Sequence, residues 1–376
     1  MNASPGIQFG HLQSVRPKRF DIPLIPGEDV CDIRCQGEEP LVSIAMITYN
    51  HEKYVAEAIE SIVGQRASFV FELVIGEDCS KDRTRQIVLE YQRRYPKRIR
   101  VVMSDENVGP IANQLRVERA CRGKYIAYCE GDDFWQRSDK LQVQVDFLEA
   151  HPECSVVYSG YTLLKGGKAK KVTTVPGQTA DMANILSFDD ILFGNCFQFA
   201  TCTTVGRRAI IERAHALCPI MSEDLSFGDV TRHLLFASAG HVGFIPEVLG
   251  TYRINPGGVS QDIKTCLRFV FDGIHVKKWF LNEFRPGSID GERRLARQCF
   301  PYVFYFAEQT YDPTLTRELV KLAKECGYRL PVGLKMKLAL CGGSRRTHRA
   351  VRATMGFFRA WHERYRMRAQ KRTQGT

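Results

Sequence analysis

Acidic residues in this sequence gather in a few tight clusters, and two of these clusters directly follow apolar runs. Glu77-Asp78 closes residues 72–76, and Glu130-Gly131-Asp132-Asp133 closes residues 124–129. Adjacent carboxylates repel each other when both ionise, and a hard divalent cation with oxygen ligands relieves the repulsion. Such a cation can also bridge protein carboxylates to phosphate oxygens and neutralise a departing diphosphate. A further carboxylate, across the reacting carbon, would serve as general base. Gly131 permits the tight turn that brings its acidic neighbours together. A plainer reading stays open, because aspartates at strand-to-helix junctions also form turns, cap helices and meet the dipole of a first helical turn.

The elements that must hold these residues follow from hydrophobic patterning. Residues 41–48 form a short, β-branched, apolar run, as expected for a strand buried on both faces. Residues 52–63 predict a helix, with Tyr54, Val55, Ala58, Ile59 and Ile62 at helical spacing. Strands follow at 72–76, 99–103, 124–129 and 155–158. The helices between them fall at about 81–94, 111–120 and 140–148. Alternating strands and helices with short connections predict right-handed βαβ units and a largely parallel sheet. Ligands bind such sheets beyond the carboxyl ends of the strands, where Asp78, Asp132 and Asp133 fall. Residues 160–180 are polar and rich in Lys and Gly, which predicts a surface loop. A second patterned stretch, 188–252, contains a predicted helix at 229–239 and a strand at 242–245. Amphipathic helices continue from 262 to about 327. There is no internal repeat.

Composition narrows the class. The chain has 376 residues, 44% of them hydrophobic, and a net charge of +11. From Val332 onward twelve Lys and Arg face the single acid Glu363, so the tail carries the whole excess. Within it, residues 345–372 place Val351, Met355, Phe358, Trp361 and Tyr365 at spacings of three and four among arginines. This reads as a basic amphipathic helix after a Gly342-Gly343 hinge, suited to an anionic membrane surface. Docking on the core with a solvated basic face is the alternative. No nucleic-acid-binding module accompanies the charge, and no nucleic acid is expected as a partner. The thirteen cysteines are odd in number and scattered, which argues for free thiols in a reducing cytoplasm. No transmembrane helix or secretory signal is expected. Residues 1–40 read as an irregular arm broken by Pro5, Pro17, Pro23 and Pro26. The sequence has neither a GxGxxG after its first strand nor a Walker-type loop, so dehydrogenase and NTPase signatures are missing.

Five ordered segments over about 120 residues resemble the family 2 glycosyltransferases. The first runs from Val42 through Thr48-Tyr49-Asn50, with Tyr54-Val55 and Ala58-Ile59 after it. Glu77-Asp78-Cys79-Ser80-Lys81-Asp82-Arg83-Thr84 is similar to the family's "DDGSxDxT" segment. Asn107-Val108-Gly109 and Gly123-Lys124-Tyr125-Ile126 follow in order. Glu130-Gly131-Asp132-Asp133-Phe134-Trp135 resembles the metal-binding DxD region in its "EGDD(Y/F)W" version, with Glu130 where aspartate is usual.

The resemblance implies a GT-A fold: α/β and Rossmann-like, with a mostly parallel mixed sheet flanked by helices, here followed by a helical C-terminal extension. The implied domain spans residues 41–260, with a nucleotide-sugar half at 41–159 and an acceptor half at 160–260. The extension runs over 261–331 and the basic tail over 332–376. Thr48, Tyr49, Asn50 and Glu52 would line the base and ribose pocket, and Asp78 would hydrogen-bond a uracil or thymine ring. Asp132 and Asp133 would meet ribose, diphosphate and a divalent metal, Mn or Mg. The family's "ED" or "GD" pair points to Asp229 as general base, with Glu223 and Asp224 as rivals. Tyr252-Arg253-Ile254-Asn255-Pro256-Gly257-Gly258-Val259-Ser260 is similar to the family's "YRxHxGGxS" ending. Arg253 would then pair with diphosphate or an acceptor carboxylate, while Asn255 replaces the histidine. His51 reads as a polar turn residue.

The implied activity is inverting, metal-dependent transfer from a UDP- or dTDP-sugar to the hydroxyl of a saccharide or lipid-linked saccharide. Its expected setting is surface polysaccharide synthesis, in the cytoplasm at the inner face of the membrane. Two alternatives stand beside it. A sugar-phosphate nucleotidyltransferase would need a Gly-rich, basic loop after the first strand, where this chain has Thr48-Tyr49-Asn50-His51. A non-catalytic nucleotide-sugar-binding protein would have no need of a base.

Overall fold

Strand β1 (Val42–Thr48) is almost wholly buried, with Val42, Ile44 and Met46 on one face of the sheet and Ser43 and Ala45 on the other. Burying each of the larger side chains stabilises the fold by about 1.5–3 kcal/mol. On one side β1 pairs in parallel with β2 (Phe71–Glu77), which pairs in parallel with β3 (Ile99–Met103). On the other side it pairs in parallel with β4 (Tyr125–Tyr128). The register sets Thr48 opposite Glu77 and Glu77 opposite Met103, so the carboxyl ends of these strands lie flush. The crossovers are α1 (Val55–Val63), α2 (Thr84–Arg94) and α3 (Pro110–Ala120).

The chain is described here as a computed structural model over residues 39–173, 185–194, 199–217, 228–255 and 263–310. The N-terminal arm, Glu223, Asp224 and the basic tail at 345–372 lie outside the described residues.

Past β4 the sheet stops being parallel. After β5 (Phe134–Trp135) and α4 (Lys140–Ala150), β6 (Cys154–Lys165) enters the sheet without lying against β4. β9 (Val205–Arg207) fits between them, antiparallel to both. β10 (His241–Ile254) runs parallel to β6, and β5 closes the order β3-β2-β1-β4-β9-β6-β10-β5.

The segment 160–172 is β structure, where its composition predicts a loop. β6 continues to Lys165 and turns into β7 (Lys168–Val172), its antiparallel neighbour. Gly166 and Gly167 both have positive φ, 53° and 77°, as a two-residue hairpin of the primed type requires. Here Gly-Gly is a hairpin turn and the lysines line an exposed strand.

A short strand β8 (Ile185–Leu186) pairs with β10, and Ser187 and Asp190 form a capping box at the start of α5 (Phe188–Leu192). Two more helices, α6 (Arg208–Leu217) and α7 (Asp229–Ala239), pack on each other. The helical extension begins with α8 (Ile263–Phe284), whose Phe280 and Phe284 pack against Phe188 of α5. A second compact unit begins at Glu292, inside α9 (Ile289–Thr310), where Leu295 and Cys299 are buried one turn apart. No described helix is long and apolar enough to cross a membrane. Cys79, Cys121, Cys129, Cys154, Cys202 and Cys299 carry free thiols.

One buried charge behind the acidic turn carries a measurable consequence. Lys140 on α4 is fully buried; its ammonium donates to Gln144 Oε1 at 2.5 Å and lies 4.2 Å from the Trp135 ring centroid. Burial pulls its pKa down from the ordinary 10.5 to about 7. Between those values the unfolded chain holds a proton that the native chain has shed, so native stability rises with pH. We therefore expect wild type to gain on Lys140→Met by about 1.4 kcal/mol per pH unit above about pH 7. Urea unfolding of both proteins across that window measures it, and a pH-independent difference would mean that the amine is solvated.

Candidate functional site

The site begins with two loops at the carboxyl edge of the sheet, the 49–53 loop after β1 and the 79–83 loop after β2. Main chain in each is held by side chains of the other. The Asn50 N–H donates to Ser80 Oγ at 3.0 Å, and the Lys81 N–H donates to Asn50 Oδ1 at 2.8 Å. The Glu52 N–H donates to Asp82 Oδ2 at 3.1 Å, and the Arg83 N–H donates to Glu52 Oε2 at 3.1 Å. The His51 N–H donates to Thr84 Oγ1 at 2.7 Å. Asn50 and Cys79 adopt left-handed backbone, with φ of 55° and 58°. These exchanges explain why α1 and α2 start at 55 and 84 rather than at the predicted 52 and 81: the intervening residues bond across the loops. Asp82 also accepts from the Thr84 N–H, and these bonds outweigh burial to hold its carboxyl below its usual range. Tyr49 is half-buried beside them.

Asp78 is similarly occupied. Its two oxygens accept from the Val108 N–H at 2.9 Å and the Gly109 N–H at 3.0 Å, and Asn107 Nδ2 bonds the Asp78 carbonyl. The Asn107-Val108-Gly109 motif thus docks the β3–α3 loop onto β2, with Gly109 at φ 85° before Pro110 opens α3. Burial raises the Asp78 pKa, with the two amide hydrogen bonds opposing it.

The acidic turn after β4 sorts its carboxylates. Asp133 is 1% exposed, and its Oδ1 accepts from the Arg253 N–H at 2.8 Å. Its Oδ2 is buried without a hydrogen-bond partner, and burial, reinforced by Asp132 and Glu130, pushes its pKa well up. Asp132 instead keeps solvent access, and its Oδ2 accepts from Asn255 Nδ2 at 2.6 Å. Of the two aspartates expected to meet a cation, Asp132 therefore faces outward and Asp133 lies behind it. Gly131 is required between them, because a Cβ there would stand 2.5 Å from Thr48 Oγ1. The Arg253 guanidinium bonds Glu57 at 2.6 Å and sits between the Tyr54 and Phe134 rings; its Nη1 is buried with no hydrogen-bond partner.

Asp229 opens α7, and Arg232 Nη1 donates to its Oδ1 at 3.3 Å. The same Arg232 lies 3.3 Å from the buried Glu118 of α3 and over the Tyr128 ring. Glu130 Oε2 is buried without a hydrogen-bond partner. Burial, then the charges of Asp229 and Asp132, push its pKa up to about 8. Asp229 therefore belongs to the same electrostatic cluster as the turn after β4. The opposite edge of the sheet shows the contrast. There Glu72, also buried, bonds Ser43, Arg100 and Arg122, and these overcome burial to hold its carboxyl below its usual range.

Among the described residues no three His, Cys, Asp or Glu side chains converge to hold a metal. An accessible Asp132 with buried carboxylates behind it fits a cation that shares its coordination with a ligand's phosphates, the usual habit of hard divalent ions. Sequence reasoning passed over Arg232 and read His51 as a polar turn residue. The Asp229-to-Arg232 spacing of three residues is a helix-face signal that could have exposed the former.

Residues 43–213 match the family described as glycosyl transferase family 2. The uncharacterized protein Rv1520 of Mycobacterium tuberculosis is 32% identical over 227 residues, covering 60% of this chain and 62% of that one. The uncharacterized glycosyltransferase EpsJ of Bacillus subtilis is 28% identical over 233 residues, covering 59% of this chain and 63% of its own. The chain thus spans less than two thirds of these relatives. Among solved structures, the mannosyltransferase PcManGT from Pyrobaculum calidifontis, in complex with GDP-Man and Mn2+, superposes with a TM-score of 0.51 at 15% identity. It covers 84% of this chain and 87% of its own, and the likeness is one of fold, GT-A.

The Arg232 bridge has a testable energetic role. Arg232→Met leaves Glu118 buried without this arginine, and we expect a loss of about 3–5 kcal/mol in urea unfolding. Pairing it with Glu118→Leu should recover most of that loss; additive losses would show that the two charges do not interact.

Proposed function

Since residues 43–213 match glycosyl transferase family 2, we propose that the protein transfers a sugar from a UDP- or dTDP-sugar to an acceptor hydroxyl with inversion. The observation that carries this reading is the shared electrostatics of Asp229 and the acidic turn: both Asp229 and Asp132 raise the pKa of Glu130. In this reading the general base and the donor-binding carboxylate share one site, on different elements.

In this reading Thr48, Tyr49, Asn50, Glu52 and Asp78 line the nucleoside pocket, whose backbone the cross-loop bonds hold fixed. Asp132 would hold the divalent cation, with Asp133 supporting it from behind. A bound Mn2+ or Mg2+ supplies positive charge to the departing diphosphate. Asp229 takes the proton of the acceptor hydroxyl as that oxygen bonds to the anomeric carbon from the face opposite the diphosphate. The bond from that carbon to the diphosphate oxygen breaks and its electron pair leaves with the nucleoside diphosphate. The proton remains on Asp229, and the configuration at the carbon inverts. Arg232 keeps the Asp229 carboxylate oriented. Arg253 would pair with a phosphate or carboxylate.

The acceptor we propose is a saccharide or lipid-linked saccharide of a surface polysaccharide, reached at the cytoplasmic face of a membrane. The basic segment 345–372 supports this setting, since each basic residue near an anionic leaflet contributes about 1 kcal/mol.

Calorimetry with UDP, dTDP, GDP and CMP, with and without Mn2+, tests the donor site. We expect one uridine or thymidine diphosphate to bind only with metal and only when Asp132 is present, so that Asp132→Ala abolishes it. Asp229→Asn should lower kcat by about 10²–10⁴-fold with donor affinity unchanged. No nucleotide binding under any condition would leave the non-catalytic alternative standing. Separately, deleting Ser344 onward should release the protein from anionic vesicles while donor hydrolysis persists. Undiminished vesicle binding would remove the tail from the membrane role.

A further inference from the structure

His51 stands directly over the acidic turn. Its Nδ1 is 3.2 Å from Thr48 Oγ1, and its Nε2 is 3.9 Å from Asp132 Oδ2. The second distance is too long for a hydrogen bond in either imidazole tautomer. When Nδ1–H donates to Thr48 Oγ1, Nε2 keeps a lone pair across a 3.9 Å gap from Asp132 Oδ2. Two ligands about 2.1 Å from one ion are about 3.0 Å apart when cis and about 4.2 Å apart when trans, and the observed 3.9 Å lies between these limits.

The gap is built into the fold. Gly131 lies beneath the ring, where a Cβ would come within 3.1 Å of His51 Nδ1 and 2.5 Å of Thr48 Oγ1. The His51 N–H is fixed to Thr84 Oγ1 at 2.7 Å, and its carbonyl accepts from the Tyr54 and Val55 N–H groups. Asn255 holds the carboxylate from the other side through Nδ2; it is 9% exposed, and its own Oδ1 is buried with no hydrogen-bond partner. A hydroxyl fixing the non-ligating nitrogen of a histidine is the second-layer support that metal-bound imidazoles generally have.

We infer that His51 is a cation ligand: Nε2 and Asp132 Oδ2 form a nitrogen–oxygen pair that binds the divalent ion together with the donor's diphosphate. The inference rests on the metal-dependent reading above and adds to it a nitrogen donor. Imidazole nitrogen favours transition ions over Mg2+ by the usual order of affinities, so this site prefers Mn2+ to Mg2+.

Electron paramagnetic resonance of Mn2+ added to the full chain, alone and with UDP, tests it. Bound Mn2+ in wild type should show imidazole nitrogen coupling in pulsed spectra. His51→Ala should lose that coupling and bind Mn2+ about tenfold more weakly, with a smaller change for Mg2+. His51→Gln, which offers an oxygen at a similar reach, should regain affinity without the coupling. Bound Mn2+ without nitrogen coupling in wild type would overturn the assignment, as would coupling that persists in His51→Ala, and both would leave the metal-dependent reading intact. If wild type binds no Mn2+ with or without UDP, both readings fall together. Should His51→Ala not fold, His51→Gln supplies the same comparison, since it too must lose the coupling.

Discussion

Four carboxylates placed around one turn, with too little positive charge to balance them, are the constraint on which this molecule's architecture depends. Glu130 and Asp133 each keep a buried oxygen without a hydrogen-bond partner, and burial together with like charge drives their pKa values up. A protein that needed only stability would not place acids this way. Its own opposite edge shows the alternative, where Glu72 is surrounded by Ser43, Arg100 and Arg122. The difference between the two edges is electrostatic: one is satisfied from within, and the other keeps negative charge that its own side chains do not balance.

Such charge is useful only if the acids cannot collapse away from one another, and the surrounding bonds prevent it. The loops after β1 and β2 exchange main-chain and side-chain hydrogen bonds, so that neither can shift alone. Asp78 ties the β3–α3 loop to the same edge. Arg232 ties Asp229 to Glu118 on α3, a helix of the first half of the chain. Lys140 and Trp135 brace the turn from beneath. Preorganised charge of this kind needs no rearrangement at the moment of reaction.

Much of this was legible in the sequence. Buried parallel strands announce themselves as apolar, β-branched runs, and 99–103 and 229–239 fall at the bounds read from pattern alone. The antiparallel β9 did not announce itself, because a strand of three residues, Val205–Arg207, carries no periodicity. The 160–172 hairpin was hidden by its lysines and by glycines that serve equally well in loops and in primed turns. At the site, the acids were legible by type and spacing, but their division of labour was not. Nothing in the order Asp132-Asp133 tells which one turns inward; the Arg253 N–H, 120 residues away in sequence, decides it. His51 was hidden for a related reason, since a histidine in a polar turn looks the same whether or not a carboxylate stands opposite.

That last contact bears on how the protein comes into being. β5 pairs with β10 at Gly250 and Trp135, Asp133 is bonded by Arg253, and Asp132 is bonded by Asn255. The first half of the chain, emerging earlier during synthesis, can pair β1 to β4 within itself. Its acidic turn must then wait for residues about 120 positions downstream before the side chains are sorted. Long-range closure of this sort comes late in folding. A nascent or prematurely ended chain would therefore carry every acidic motif and still lack the bonds that sort its carboxylates, which form only once the second half has arrived and docked.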